Sequence, residues 1–183
     1  MGVLASGGGS ILQAILDARL PVAVVLVDRD CGAAAIARGA GIPLEVVERV
    51  SYLPDRLAFT HAVVDALRAH DVDLVAMAGF MTILDKPVFD AFDGRIVNTH
   101  PSLLPSFRGA HAVPDALAFG AKVTGCTIHV ATVEVDDGPI LAQEAVVVGV
   151  DDTDSTLHER IKSVERRLYP AVLARILEGD IRL

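Results

Sequence analysis

The sequence predicts an α/β fold, with a doubly wound, mostly parallel sheet followed by a C-terminal antiparallel strand pair and a long C-terminal helix. Short β-branched runs alternate with helix-like segments over the first half of the chain. The run at 21–28, PVAVVLVD, is apolar almost throughout, as expected of a strand covered on both faces. Two longer β runs follow each other near the end. This alternation is typical of Rossmann-like sheets, in which ligands bind at the carboxyl ends of the strands.

The elements follow in a regular order, without a repeat or a linker, so we expect a single domain over residues 1–183. The predicted strands are 1–5, 21–28, 43–47, 73–79, 94–98, 124–133 and 139–148, and the predicted helices are 10–18, 33–38, 55–70, 81–92 and 111–119. One face of a final helix is predicted from the spacing of Leu157, Ile161, Val164 and Leu168. Ser10 with Gln13, and Thr156 with Glu159, predict capping boxes at the first and last helices.

Composition excludes several classes of function. The chain has 183 residues, 52% of them hydrophobic, and a formal net charge of −8, which predicts no nucleic-acid partner and leaves small-molecule substrates open. No apolar run reaches the roughly 18 residues that span a bilayer, and no signal-peptide pattern precedes the first strand. Cys31 and Cys126 lie far apart, which favours reduced thiols and a cytoplasmic location. The histidine spacings predict no metal site.

The segment SGGGS at 6–10 lies between a strand and a helix. Its three glycines allow a ligand to approach the backbone closely, and the helix N-terminus offers unpaired N–H groups, so a phosphate or carboxylate would fit there. A tight turn without a ligand is the alternative. The segment is neither GxGxxG nor GxxxxGK[ST], which argues against a dinucleotide or ATP.

Asn98 and His100 lie two residues apart at the end of a strand, and therefore on one side of it. Pro101 stops the strand there. An Asn amide can donate to an oxyanion, and a His can exchange protons near neutral pH. EVDDGP adds Asp136 and Asp137 in a turn. The Asn–His pair alone is typical of a strand end, but together with the turn and the glycine segment it favours a site.

Two other histidines lie near this group. His111 follows the proline-rich loop and would line the same cavity. His129 lies within a β run, where a structural role is favoured, although it is close enough in sequence to Asp136 to orient it.

Four blocks, SGGGS, AGFMTIL, NTHPSLLPSF and DDGPILAQ, resemble the folate-dependent formyltransferases in order over nearly the whole chain. The HPSLLP block with the later D-x-G-P-I is specific to the formyltransferase fold, and the glycine segment is less so. The resemblance implies transfer of a formyl group from 10-formyltetrahydrofolate to the primary amine of a ribosyl-phosphate glycinamide in purine synthesis, without a metal.

By position, the resemblance also implies roles for individual residues. The implied catalytic residues are Asn98, His100 and Asp136. The residues implied to bind the substrate phosphate and glycinamide are Gly9, Ser10, Ile11 and Glu165. Those implied on the folate side are Arg56, Met81, Thr82, Ile83, Leu84 and Asn98. Thr82 stands where the family often has arginine, and Ile11 where it often has asparagine, which leaves side-chain contacts open there while backbone contacts remain.

Other functions stay open at this point. Methionyl-tRNA formyltransferases share the Asn-x-His-Pro core but add a C-terminal domain for which we expect no room here, and formyltetrahydrofolate hydrolases usually add an N-terminal regulatory domain. A catalytically idle relative that keeps the pocket is a third alternative. A nicotinamide oxidoreductase is disfavoured by the missing third glycine, with Asp28 or Asp30 as weak support. The oligomeric state is open, with a homodimer as one alternative.

Overall fold

The computed structural model of the protein describes all of its residues, 1–183. The strands are β1 (Gly2–Ala5), β2 (Val24–Val27), β3 (Leu44–Val46), β4 (Val75–Met77), β5 (Ile96–His100), β6 (Val123–Val130) and β7 (Ile140–Val147). The α-helices are α1 (Ser10–Asp17), α2 (Gly32–Gly39), α3 (Arg56–Arg68), α4 (Lys86–Ala91), α5 (Ala112–Phe119) and α6 (Asp154–Leu177). The strand order in the sheet is β3-β2-β1-β4-β5-β6-β7, and the chain divides into two compact units, Met1–Val97 and Asn98–Leu183. The predicted fold class is confirmed.

The first unit contains parallel strands. β1 pairs with β2 and with β4, so that Val3 lies opposite Val25 on one side and Ala76 on the other. Every residue of β1 and β2 is buried, which explains their unbroken apolar sequences. The carboxyl ends of β1, β2 and β4 are followed by the polar or glycine-rich segments that the sequence singles out.

The second unit contains an antiparallel pair, β6 and β7, with Thr127 opposite Gln143 and an irregularity between Ile128 and His129. Helix α6 has 24 residues, and its buried stripe consists of Leu157, Ile161, Glu165, Tyr169, Pro170, Val172 and Leu173. The stripe therefore passes through Glu165 and Tyr169, whereas Val164 and Leu168 of the predicted face are only half-buried. No helix of the chain combines the length and the apolar character needed to cross a membrane.

Three segments differ from the sequence predictions. β5 continues to His100, because Pro101 and not Asn98 ends the strand. The helix predicted from residue 81 begins at Lys86, where Pro87 lies in the first turn, as its fixed φ favours. A 3-10 helix at Arg49–Tyr52 was not predicted.

Both predicted capping boxes are wrong. The N-cap of α1 is Gly9, with φ 81° and no side-chain cap, and the Gln13 side chain instead donates to Asp17. The capping box of α6 is formed by Thr153 and Thr156, three residues earlier than predicted. In both cases the sequence contains the residue types of a capping box, but the N-cap residue of the helix is a different one.

Candidate active site

Strand β5 delivers two polar side chains to one side and one to the other. Asn98 and His100 share a side because residues i and i+2 of a strand do so, and Thr99 points to the opposite side. His100 is almost completely buried, whereas Asn98 is half-buried. The sequence therefore already determines that the amide and the imidazole are neighbours.

His100 has hydrogen-bond acceptors at both ring nitrogens. Its Nε2 donates to the carbonyl oxygen of Phe107 over 2.8 Å, and its Nδ1 lies 3.3 Å from Oδ2 of Asp136. Because both partners only accept, the doubly protonated ring alone can satisfy both. Burial lowers the pKa of His100, while the Phe107 carbonyl and the Asp136 carboxylate act in the opposite direction. The carbonyl and the carboxylate thus offset part of the effect of burial, and the pKa of His100 stays below its usual value.

Asp136 lies in the turn after β6 with φ 53°, in the left-handed region. Its Oδ2 accepts a hydrogen bond of 2.8 Å from the backbone N–H of Gly109. Burial would raise its pKa, but the nearby His129, the hydrogen bond from the Gly109 N–H and the neighbouring His100 outweigh burial, so the pKa lies below its usual value. Asp136 is therefore ionised at neutral pH.

Asp137, the next residue, is directed elsewhere. Its carboxylate pairs with the Arg108 guanidinium over 2.5 Å, and both side chains are substantially exposed. The structure thus separates the two aspartates of the turn: Asp136 joins the histidines, and Asp137 forms a surface ion pair.

His129 completes the cluster. The sequence had favoured a structural role for this residue. Its Nδ1 donates to the Val130 carbonyl over 3.0 Å, which leaves Nε2 to accept from Nδ2 of Asn98 at 3.3 Å. The same Nε2 lies 3.6 Å from Oδ1 of Asp136. His129 thereby fixes which way the Asn98 amide faces. The available signal was an imidazole within an apolar β run, where a buried polar side chain needs a partner.

The loop between β5 and α5 is held by a pair of side chains on β6 and β7. The Thr127 hydroxyl donates to the carbonyl of Ser102 over 2.7 Å and accepts from the N–H of Leu104 over 3.0 Å. Gln143, opposite Thr127, donates to the Leu104 carbonyl and to the Thr127 hydroxyl, both over 2.9 Å. These bonds fix the course of the proline-rich loop that follows His100.

Glu165 lies on the buried stripe of α6, 6% exposed. Its Oε1 accepts from the Thr99 hydroxyl over 2.8 Å, and that hydroxyl also lies 3.5 Å from Sγ of Cys126. Burial raises the pKa of Glu165 and raises that of the Cys126 thiol to about 12. The thiol is therefore protonated and unreactive. The buried carboxylate has one hydrogen-bond donor, the Thr99 hydroxyl.

In the first unit, the glycine turn is built around Gly9. A Cβ there would lie 2.7 Å from Cδ1 of Ile36 and 2.8 Å from Cα of Ala33, and its positive φ also favours glycine. The carbonyl of Gly7 accepts from the N–H of Ala33 over 3.0 Å, which fixes the turn against α2. Ser10 begins the helix and is exposed, and Ile11 is buried. With no side-chain cap, the first N–H groups of α1 are left for a ligand or water.

Residues 81–84 follow β4 in the same unit and are not helical. Met81 and Ile83 are 63% and 53% exposed, whereas Thr82 and Leu84 are 3% and 5% exposed. Ile83 and Leu84 contribute no backbone hydrogen bonds, so their N–H and C=O groups remain for other partners.

Arg56, predicted on the folate side, has its guanidinium engaged within the chain. Its Nε and Nη2 donate to both carboxylate oxygens of Asp85 over 2.9 and 2.7 Å. The Thr60 hydroxyl accepts from the N–H of Asp85 and donates to the carbonyl of Arg56. Arg56 thus fixes the end of the 81–84 segment. No group of three or more His, Cys, Asp or Glu residues is arranged to hold a metal ion.

A family model described as formyl transferase matches residues 1–173. The phosphoribosylglycinamide formyltransferase of Mycobacterium tuberculosis is 51% identical over 177 residues, covering 94% of this chain and 82% of that protein. That of Bacillus subtilis is 39% identical, with 96% and 93% covered. The crystal structure of glycinamide ribonucleotide transformylase 1 from Symbiobacterium toebii is 45% identical and covers 100% of this chain and 89% of that chain, with a TM-score of 0.95. The chain therefore belongs to the formyl transferase family.

Proposed function

We propose that the chain is a phosphoribosylglycinamide formyltransferase, which transfers a formyl group from 10-formyltetrahydrofolate to the amine of 5'-phosphoribosylglycinamide in de novo purine biosynthesis. The observation that carries the proposal is the cluster of Asn98, His100 and the ionised Asp136, which supplies an oxyanion donor and a proton carrier in a buried place. Two phosphoribosylglycinamide formyltransferases, from Mycobacterium tuberculosis and Bacillus subtilis, match nearly the whole chain.

The chemistry follows from these groups. The amine nitrogen attacks the formyl carbon, and the carbonyl electron pair moves to oxygen, which becomes an oxyanion. A second N–H of the Asn98 amide and an N–H of protonated His100 stabilise that charge. The carbon–nitrogen bond to the folate then breaks, and the proton lost by the amine reaches the folate nitrogen with the help of His100 and Asp136.

His100 must exchange a partner to take part. In this structure its Nε2–H is bonded to the Phe107 carbonyl, and Nδ1 faces Asp136. An oxyanion carries more charge than a carbonyl oxygen and is the stronger acceptor, so it can replace Phe107 as the partner of Nε2–H. The amide of Asn98 needs no such exchange, because only one of its two N–H groups is directed to His129.

Glu165 is proposed to contact the glycinamide part of the substrate. A buried carboxylate with a raised pKa and one hydroxyl partner retains acceptor capacity. An amide or amine of the substrate would supply the donors that the protein does not.

The folate-type donor is proposed to bind along the backbone of residues 81–84, whose N–H and C=O groups at Ile83 and Leu84 are unpaired. Donors and acceptors spaced along a non-helical backbone suit a flat heterocycle with alternating polar atoms. Both cysteines, Cys31 and Cys126, are free, which fits the cytoplasmic location that we propose for this reaction.

The proposed function is tested by an absorbance assay with 10-formyltetrahydrofolate, run with and without 5'-phosphoribosylglycinamide. We expect folate product only when the amine is present. Release of the formyl group without the amine would indicate a hydrolase, and no turnover under either condition would indicate an idle relative. Either result would overturn the proposal.

The phosphate role of the glycine turn is best tested at Gly8. Gly8 is exposed, and a Cβ added there meets no atom within 4 Å, so Gly8→Val fills the approach to the helix N-terminus without disturbing the fold. We expect the KM for the phosphorylated substrate to rise about tenfold, as for loss of one hydrogen bond to a charged group, with little change in melting temperature.

The matched control is Gly39→Val, at another exposed glycine of the same unit that also lacks neighbours within 4 Å. It should leave this KM unchanged. An unchanged KM in Gly8→Val would remove the phosphate from the glycine turn. Gly9 is less informative, because a side chain there would collide with the backbone of Ala33.

A further inference from the structure

A carboxylate is buried at the end of β2 in the first unit, away from the histidine cluster. The side chain of Asp28 has no exposed surface. Arg29 donates to both of its oxygens over 3.0 and 2.8 Å, and the Thr82 hydroxyl donates to Oδ2 over 2.6 Å. Burial would raise its pKa, but the hydrogen bonds from Arg29, Thr82 and Ser6 outweigh burial and lower it, so that Asp28 is ionised.

Two consecutive residues of the 81–84 segment are hydrogen-bonded to Asp28 or to its neighbour Ser6. Thr82 is bonded to it directly. The backbone N–H of Met81 donates to the Ser6 hydroxyl over 2.9 Å, and Ser6 is also one of the groups that lower the pKa of Asp28. The backbone N–H of Ser6 donates to the carbonyl of Gly79, so the start of the segment is held by backbone bonds as well.

The network determines which groups of the segment face outward. Because Thr82 turns its side chain inward to Asp28, the residues on either side of it, Met81 and Ile83, are directed outward. At the far end Asp85 is held by Arg56 and Thr60. The segment is thus pinned at both ends, and the unpaired backbone groups of Ile83 and Leu84 lie between the two attachments.

We propose that Asp28 and Thr82 are positioning residues for the formyl donor: their buried hydrogen bond fixes the backbone of 81–84 in the shape that binds the folate-type co-substrate. This inference rests on the proposed function. It also explains what threonine does at position 82, where its hydroxyl has an ionised partner that no aliphatic side chain could satisfy.

The test compares Thr82→Val, which removes only the hydroxyl, with Thr82→Ser, which keeps it. We expect Thr82→Val to raise the KM for 10-formyltetrahydrofolate and the Kd for tetrahydrofolate about tenfold, and to leave the KM for 5'-phosphoribosylglycinamide within about twofold. Thr82→Ser should restore most of the affinity. Asp28→Asn should act in the same direction, and combining it with Thr82→Val should add little.

Thr124→Val is the matched control. Like Thr82, Thr124 is buried, but its hydroxyl has no hydrogen-bond partner. It should leave both KM values unchanged. An unchanged folate KM in Thr82→Val, equal losses for both substrates, or failure of serine to restore affinity would each overturn the inference. If the unmodified protein binds tetrahydrofolate but transfers no formyl group, the proposed function fails, and the Kd series still tests the positioning role.

Discussion

Replacing His100 by alanine, or Asp136 by asparagine, is expected to lower kcat for formyl transfer by about 100- to 1000-fold while the fold persists. His100→Ala removes a donor to the oxyanion and the proton carrier together. Asp136→Asn keeps the size of the side chain and an acceptor for the Gly109 N–H, but removes the negative charge 3.3 Å from the imidazole. Steady-state kinetics at saturating concentrations of both substrates measure the effect.

Two controls separate chemistry from folding. Asp137→Asn makes the same change one residue away, at a carboxylate that pairs only with the exposed Arg108, and should retain full kcat. His61→Ala removes an exposed histidine of α3 and should do the same. Near-normal kcat in either His100→Ala or Asp136→Asn would contradict the assignment.

The effects of the His100 and Asp136 substitutions on kcat should not be additive. Because Asp136 acts through His100, the double variant should lose little more than the worse single variant. The carboxylate raises the pKa of His100 against the effect of burial. In Asp136→Asn the imidazole should therefore titrate at lower pH than in the unmodified protein, which NMR of the ring can follow. An unshifted titration would show that the two groups are not coupled.

Gly138→Ala is expected to be among the most destabilising single substitutions in the chain. A Cβ at this position would lie 1.8 Å from the carbonyl oxygen of Val130, a backbone atom that cannot move without opening the connection between β6 and β7. The N–H of Val130 is bonded to the carbonyl of Pro139 across the same connection. We expect a loss of about 3 kcal/mol and a fall in melting temperature of roughly 6–12 °C.

Activity should fall together with stability in Gly138→Ala, because the connection carries Asp136 and adjoins His129. Gly39→Ala is the control, since a Cβ there meets nothing within 4 Å and alanine is favoured in a helix. Differential scanning calorimetry compares the two. A melting temperature for Gly138→Ala within about 2 °C of the parent would contradict the close packing of this connection.

The sequence was sufficient for the parallel strands and for the family. The unbroken apolar runs of β1 and β2 are buried on both faces, and the resemblance to formyltransferases is confirmed. It was also sufficient to put Asn98 and His100 on one side of a strand, because that follows from a period of two. These features depend on local pattern alone.

What the sequence could not predict depends on contacts between distant segments. The 81–84 segment has helix-forming residues, but it is not helical, and Met81 and Thr82 are bonded to Ser6 and Asp28. His129 has no neighbour in sequence that reveals Asn98 as its partner, 31 residues away. Val164 was predicted on the buried face of α6 because it is apolar. In the structure the buried face contains Glu165 instead.

Glu165 has a consequence for how this protein can evolve. The position lies between Ile161 and Tyr169 on the stripe that packs α6, where an aliphatic side chain would avoid the desolvation of a carboxylate. Selection for thermal stability alone would therefore favour leucine there, whereas the substrate contact that we propose would favour glutamate. Core substitutions chosen to stabilise the protein should therefore leave Glu165 unchanged, because the substrate contact that we propose for it would be lost with the carboxylate.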